Sequence, residues 1–210
     1  DNVAVFNSEF DGFVENYSST DPKRRLPNFV VMSLGEDHTQ GTRVGAPTPV
    51  AAVANNDWAV GQLVDRVSHS PYWKETAIFI IEDDAQNGSD HVDAHRTVGL
   101  VVSPYAKRKH LDSEQYTTVS MLRTMELILG LRPMSQFDAA AMPMFASFTH
   151  EINLRPYKAR PANVDLTERN KKTAWGSKLS DRMNFAREDA ADDILLNEII
   201  WRSIRGDTSP

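Results

Sequence analysis

The sequence predicts an α/β fold in which a mixed, mostly parallel β-sheet is flanked by helices. Three short apolar runs, residues 29–34, 76–81 and 97–103, have the length and the β-branched content of buried strands. A long amphipathic pattern separates the first run from the second. Because strand, helix and strand in that order usually form a right-handed βαβ unit, we expect the first two strands to run parallel.

The predicted helix between these strands has a recognisable beginning and end. Thr48-Pro49 is a typical helix start, since Pro is favoured at the first helical position, and the helical pattern ends near His69. The apolar positions that recur at helical spacing are Val50, Val53, Ala54, Trp58, Gly61, Leu63, Val64 and Val67. This spacing predicts one long helix with an apolar face.

The third strand is expected to run antiparallel to the second. Residues 83–96 connect the two, and a loop of about fourteen residues is short for a helical crossover but long enough for a hairpin. A second amphipathic helix is predicted over residues 117–129, with Gly130 ending it.

The rest of the chain carries weaker signals. Residues 134–148 are rich in Met and Ala and are expected to pack as irregular core, and residues 189–205 return to helical spacing. The composition becomes polar after residue 149. We therefore divide the chain into residues 1–149, an α/β domain, and residues 150–210, a polar extension that ends in an amphipathic helix.

Composition excludes several classes of protein. The chain has 210 residues, of which 40% are hydrophobic and 25% charged, as is typical of a globular protein. With no cysteine, it can form neither a disulfide framework nor a thiolate zinc site. No apolar run approaches the length of about 20 residues that a membrane-spanning helix needs. The net charge of -6 argues against nucleic acid as the main partner.

Residues of the type that bind metals follow the predicted strands. They are Asp37 and His38 after the first strand, Glu82, Asp83 and Asp84 after the second, and Asp90, His91, Asp93 and His95 before the third. The carboxyl ends of parallel strands meet at one edge of a sheet, and an antiparallel third strand would begin at that same edge. We therefore expect these side chains to converge on one crevice.

Carboxylates packed this densely repel one another unless a cation lies between them. Aspartate together with histidine suits Zn²⁺, Mn²⁺ or iron, whereas carboxylate oxygens alone suit Ca²⁺ or Mg²⁺. The alternative is that each Asp or His is simply a turn residue or a cap, which is the commoner role of any single one. Their number within residues 83–96 favours a metal site.

Other functional templates do not fit. An EF-hand loop with Gly88 at its sixth position would place Ala85 third and Ala94 twelfth, where oxygen ligands are required. The chain contains neither a G-x-x-x-x-G-K-[ST] nor a G-x-G-x-x-G motif for nucleotide phosphates. It also lacks the G-x-S-x-G motif of serine hydrolases, and Ser103 is interpreted as a strand-end residue.

Residues 35–39, 82–88 and 90–97 together resemble the phosphoesterase branch of the alkaline phosphatase superfamily, which includes fusions with a β-propeller. The resemblance extends over residues 26–148. It implies an alkaline-phosphatase-like α/β fold whose mostly parallel sheet carries two divalent metal ions at its C-terminal edge. Zn²⁺ is the first choice of metal, with Mn²⁺, Ca²⁺ and Mg²⁺ as alternatives.

The resemblance also implies roles for individual residues. The implied metal ligands are Asp37, His38, Asp83, Asp84 and His95, and His91 is implied in substrate binding. The implied reaction is in-line attack on phosphorus by a Ser or Thr alkoxide, with one metal activating that oxygen and the other holding the leaving oxygen.

The chain departs from the superfamily pattern in three places, one of which is Gly35-Glu36, where the family usually has Pro-Asn. The superfamily has an Asp shortly before its first histidine ligand, where this chain has Leu34, so that Asp37 would have to substitute. The superfamily's attacking residue belongs to a strand far upstream of these motifs, and we assign no catalytic residue within the chain. The sheet is accordingly expected to be incomplete on its N-terminal side, and the chain alone to be inactive.

The resulting hypothesis is metal-dependent hydrolysis of phosphate monoesters or diesters, with this chain supplying part of the metal site. A non-catalytic role in binding a metal or a partner is the first alternative, and a mutase or sulfatase-type reaction on the same scaffold is the second. No nucleic acid binding and no membrane span are expected. We expect the chain to self-associate or to pair with the N-terminal half of the domain, and the resemblance favours an exported protein.

Overall fold

The computed structural model describes residues 2–35, 37–83, 97–187 and 190–207. Within these ranges the chain is mainly helical and contains two short strands. The helices are α1 (Asn2–Glu15), α2 (Pro49–Ser68), α3 (Thr118–Leu129), α4 (Gln136–Ala140), α5 (Ser177–Ser180) and α6 (Asp193–Arg205). The strands are β1 (Ile78–Ile81) and β2 (Gly99–Val102).

The predicted mostly parallel sheet is wrong. The sheet in the described residues has two strands, and these run antiparallel, with Ile78 opposite Val102 and Ile81 opposite Gly99. The expected antiparallel pairing of the second and third apolar runs is therefore confirmed. The expected α/β architecture of the alkaline phosphatase type is not.

The first apolar run, residues 29–34, explains the error because it forms no strand. Its backbone is irregular, and the Val31 side chain is 80% exposed. The Leu34 carbonyl accepts a hydrogen bond from Asn56 Nδ2 of α2 at 2.6 Å, a side-chain partner in place of a sheet ladder. Strand propensity depends strongly on the neighbouring strand and on burial, and the sequence alone supplies neither.

The two long predicted helices are confirmed, including their ends. Pro49 occupies the first turn of α2, and the Thr48 hydroxyl accepts from the Ala51 amide at 3.2 Å. Thr117 and Ser120 form a reciprocal capping box at the start of α3. Gly130 ends α3 in the left-handed conformation, with φ of 68°.

The best-packed apolar cluster includes α1, a helix that the sequence analysis did not predict. Phe10 of α1 is buried against Val67, Tyr72 and Trp73, at and beyond the end of α2. The Tyr72 hydroxyl donates to the Phe13 carbonyl at 3.0 Å and so joins α1 to the segment after α2 by a polar contact as well.

Residues 134–148, expected to be irregular core, are largely at the surface. They form α4 and a short 3-10 turn, Phe145–Ser147. Met144 is buried, but Met134, Phe137, Met142 and Phe145 are exposed. The prediction of core packing is therefore wrong for most of their apolar side chains.

The C-terminal part of the chain packs back onto the earlier elements. Asn170 Nδ2 donates to the carbonyls of Gly41 and Pro47, both at 3.0 Å. Ile199 of α6 is fully buried beside Gly41 and Gly176. Among the described residues, no helix is both long enough and apolar enough to cross a lipid bilayer.

Candidate functional site

Asp37 and His38 lie on an exposed turn rather than at the end of a strand. The His38 amide donates to the Gly35 carbonyl at 3.2 Å, which closes the turn. Both side chains are exposed, and neither is engaged by another described residue. The next residue, Thr39, has a buried hydroxyl oxygen without a hydrogen-bond partner.

Asp83 lies where the sequence analysis placed it, shortly after β1, and is exposed. The three other predicted site residues, Asp84, His91 and His95, are outside the described residues. So are Asp90 and Asp93.

The β1–β2 pairing nevertheless constrains the segment that contains these residues. Ile81 lies opposite Gly99, so the chain leaves the hairpin and returns to it at the same end. The Thr97 hydroxyl also donates to the Glu82 carboxylate, just beyond the last paired residues of the ladder. The two ends of the acidic, histidine-containing segment are therefore held next to each other.

The predicted convergence of all ligands on one crevice is not seen in the described part of the chain. Within residues 2–35, 37–83, 97–187 and 190–207, no three His, Asp or Glu side chains form a group that could hold a metal ion. The prediction used the shared edge of two parallel strands, and residues 29–34 do not form the first of them. The turn of Asp37 and His38 is thus not linked to β1 by a sheet.

Two clusters of polar residues that the sequence analysis missed lie around α3 and α4. In the first, Arg123 donates to Glu126 Oε2 at 3.1 Å, while Glu126 Oε1 is buried without a partner. The neighbouring Asp138 carboxylate accepts from the Ser135 hydroxyl, which is the main reason that its pKa lies well below the ordinary value. The Ser135-x-x-Asp138 spacing of a capping box is the sequence signal that could have indicated this contact.

The second cluster is centred on Asp112. Burial raises the pKa of this carboxyl, but hydrogen bonds from the Ser147 hydroxyl at 2.7 Å, the Glu114 amide and the Tyr116 hydroxyl outweigh burial and lower it. The cluster fastens the Ser147 loop to residue 112 and is structural.

Ser103 is also structural, as expected. Its buried hydroxyl donates to the Thr76 carbonyl at 2.9 Å and accepts from the Tyr105 amide at 3.2 Å. These contacts fix the turn that follows β2 and leave the hydroxyl no free role.

Comparison of the chain with models of protein families, with curated proteins and with solved structures gives no match.

Proposed function

We propose that this protein hydrolyses phosphate esters with the help of divalent metal ions, and that the present chain supplies part of the metal site. The proposal is based on the resemblance of the motifs to the phosphoesterase branch of the alkaline phosphatase superfamily. It does not keep the fold of that superfamily, because the described residues contain no parallel strand pair. The observation that supports it is the pairing of Ile81 with Gly99. This pairing places the two ends of the segment with most of the candidate ligands next to each other.

The residues fit a divalent metal ion in their donor chemistry. Asp37, His38 and Asp83 are exposed at the surface, and Asp84 and His95 add a further carboxylate and imidazole from the segment between the strands. Aspartate oxygen and histidine nitrogen are ligands of Zn²⁺ and Mn²⁺.

When bound, the metal ions would supply Lewis-acid activation of the attacking oxygen and stabilise the leaving oxygen. The role of this chain is to hold the metals through Asp37, His38, Asp83, Asp84 and His95. We place His91 at the phosphate substrate, where a protonated imidazole can donate to a phosphate oxygen. No residue of the chain is assigned as the attacking group.

The alternative function is metal binding without turnover. It is favoured by one observation: the Thr39 hydroxyl, which follows His38 in the chain, has no hydrogen-bond partner and therefore no general base beside it. A mutase or sulfatase-type reaction would use the same ligands and would be distinguished by substrate alone.

The proposal is tested by metal content and hydrolysis. The 210-residue chain, loaded with Zn²⁺ or Mn²⁺ and desalted, should retain metal by mass spectrometry, and Asp83→Ala and His95→Ala should each lower the retained metal at least threefold. His150→Ala and Asp57→Ala are the matched controls, because both residues are exposed and lie outside the proposed site.

Hydrolysis of an aryl phosphate by the full-length gene product should depend on added metal and be lost in His95→Ala. Unchanged metal content in both site variants would overturn the metal site. Retained metal without hydrolysis of any phosphate ester would favour the binding role.

A further inference from the structure

The net charge of the chain conceals an uneven distribution. Residues 155–187 contain nine lysines and arginines and three acidic residues, whereas the rest of the chain contains 14 basic and 26 acidic residues. The nine are Arg155, Lys158, Arg160, Arg169, Lys171, Lys172, Lys178, Arg182 and Arg187. All nine are exposed, and none forms an ion pair with another described residue.

Residues 157–168 of this segment run along α2, in the opposite direction. The Tyr157 amide donates to Ser68 Oγ at 3.0 Å, at the C-terminal end of the helix. Further on, Asn55 Nδ2 donates to the Leu166 carbonyl at 2.9 Å. The Thr48 amide, at the start of the helix, donates to the Glu168 carbonyl at 3.1 Å. The chain then passes the start of the helix, where the Asn170 amide donates to the Ala46 carbonyl at 2.9 Å, and most of the cations follow that point in the sequence.

The acidic residues of the segment are mostly engaged locally. The Asp165 carboxylate accepts from the Thr167 amide at 2.8 Å and from the Thr167 hydroxyl at 2.6 Å. Glu168 Oε2 accepts from the Thr48 hydroxyl at 3.1 Å. Only Asp181 is exposed without such a contact among the described residues. The three acidic residues of the segment therefore form no ion pair with its nine lysines and arginines.

An exposed aromatic ring lies among these cations. Trp175 is 41% exposed and lines an open pocket of about 350 Å³ together with Lys172 and Lys178. The guanidinium carbon of Arg202 lies 4.4 Å from the centre of the indole ring and holds it in place. Fixed aromatic rings beside basic side chains are the means by which proteins stack the bases of single-stranded nucleic acids.

We propose that residues 155–187 bind the phosphate backbone of a single-stranded polynucleotide, with a base stacked on Trp175. Two features support this ligand: nine exposed cations without a carboxylate partner among the described residues, and an indole between Lys172 and Lys178 on which a base can stack. The expectation of no nucleic acid binding was based on the total charge of the chain, which averages over this segment. This proposal is independent of the metal site.

The test is fluorescence anisotropy with a labelled oligothymidylate of about 16 nucleotides at several salt concentrations. Binding should weaken with salt, by a logarithmic slope of about -0.7 for each phosphate contact. The double variant Lys171→Glu/Lys172→Glu should weaken binding at least tenfold and reduce that slope. Lys23→Glu/Arg24→Glu is the matched control, because it reverses two adjacent exposed cations outside the segment and should weaken binding less than threefold. Trp175→Leu should weaken binding about tenfold and leave the salt slope unchanged.

Circular dichroism of each variant checks that the fold is retained. Absence of oligonucleotide binding would overturn the proposal, as would equal losses in the segment and control variants. Binding of the chain to phosphatidylserine vesicles but not to the oligonucleotide would assign the surface to membranes instead and would equally overturn it.

Discussion

At the scale of single residues, Asp138 is a buried carboxylate surrounded by hydrogen-bond donors. It accepts from the Ser135 hydroxyl, from the Met134 amide at 2.6 Å and from the Ser135 amide at 2.7 Å. The Ser135 hydroxyl contributes most to lowering its pKa, burial opposes this, and the Glu126 side chain adds to the lowering. The ionised form of Asp138 is thus the form that stabilises the fold.

The free energy of unfolding should depend on pH through Asp138. Because the folded pKa lies below the unfolded value of 3.8, the stabilisation is complete above about pH 5 and is lost as the pH falls through 4 and below. Asp138→Asn should therefore lower the free energy of unfolding at pH 7. The difference between wild type and variant should shrink at pH 3. Urea denaturation at the two pH values measures it, and a difference independent of pH would contradict the role assigned to the ionised carboxylate.

At the scale of elements, α1 is a helix whose apolar positions are not obvious in a polar segment of the sequence. Its first turns mix Asn, Ser, Glu and Asp with the aromatic residues that pack, and the sequence analysis treated the region as polar and aromatic without a helix. Phe6 and Phe10 are stacked, with ring centres 5.2 Å apart, one helical turn from each other. The helix is held by this packing rather than by strong intrinsic propensity.

Truncation of Phe10 tests whether α1 belongs to the core. Phe10→Ala should lower the free energy of unfolding by about 3–5 kcal/mol, because it removes a fully buried ring. Val5→Ala on the same helix is the control: Val5 is 60% exposed and should change stability by less than about 0.5 kcal/mol. Chemical denaturation followed by tryptophan fluorescence measures both. A loss below about 1 kcal/mol for Phe10→Ala would mean that α1 is detached in solution.

The contrast between helices and strands has a physical basis. Capping of α2 by Thr48 and of α3 by Thr117 uses groups within four residues, so both helix starts are visible in the sequence. A strand needs hydrogen-bond partners from elsewhere in the chain. Residues 29–34 have strand composition but no partner strand among the described residues, and composition does not reveal this.

At the scale of the whole molecule, α6 is fixed by two distant glycines. Gly41 and Gly176 both have positive φ, 60° and 75°, and both leave room for the buried Ile199 side chain. A Cβ at Gly176 would lie 2.7 Å from Ile199 Cγ1, closer than atoms pack. A side chain at position 176 would therefore have to displace Ile199 of α6.

Gly176→Ala and Gly130→Ala form a matched pair that separates strain from contact. Both positions have positive φ, 75° and 68°, but a Cβ at Gly130 has no neighbour within 4 Å. Gly130→Ala should cost about 1–2 kcal/mol of unfolding free energy from backbone strain alone. Gly176→Ala should cost about 1–3 kcal/mol more because it displaces Ile199. Thermal denaturation measures the difference, and equal losses would show that α6 is not held at this contact.

The candidate site could be predicted from sequence only in part. Asp83 and the strand before it, and the return of the chain at Gly99, follow from local patterns that the structure bears out. The link between Asp37-His38 and that hairpin was inferred from a parallel strand that does not form. The excess of lysine and arginine in residues 155–187 was missed because the total charge averages over the whole chain.

The sequence by itself determined α2, α3, their caps and the antiparallel pairing of β1 with β2, since each depends on groups close together in the chain. Only the tertiary structure decided that residues 29–34 pair with no strand in the described part of the chain, that α1 packs on Tyr72 and Trp73, and that residues 157–168 follow α2. These outcomes depend on contacts and hydrogen bonds between residues that are distant in the chain. Short-range sequence patterns do not specify such contacts.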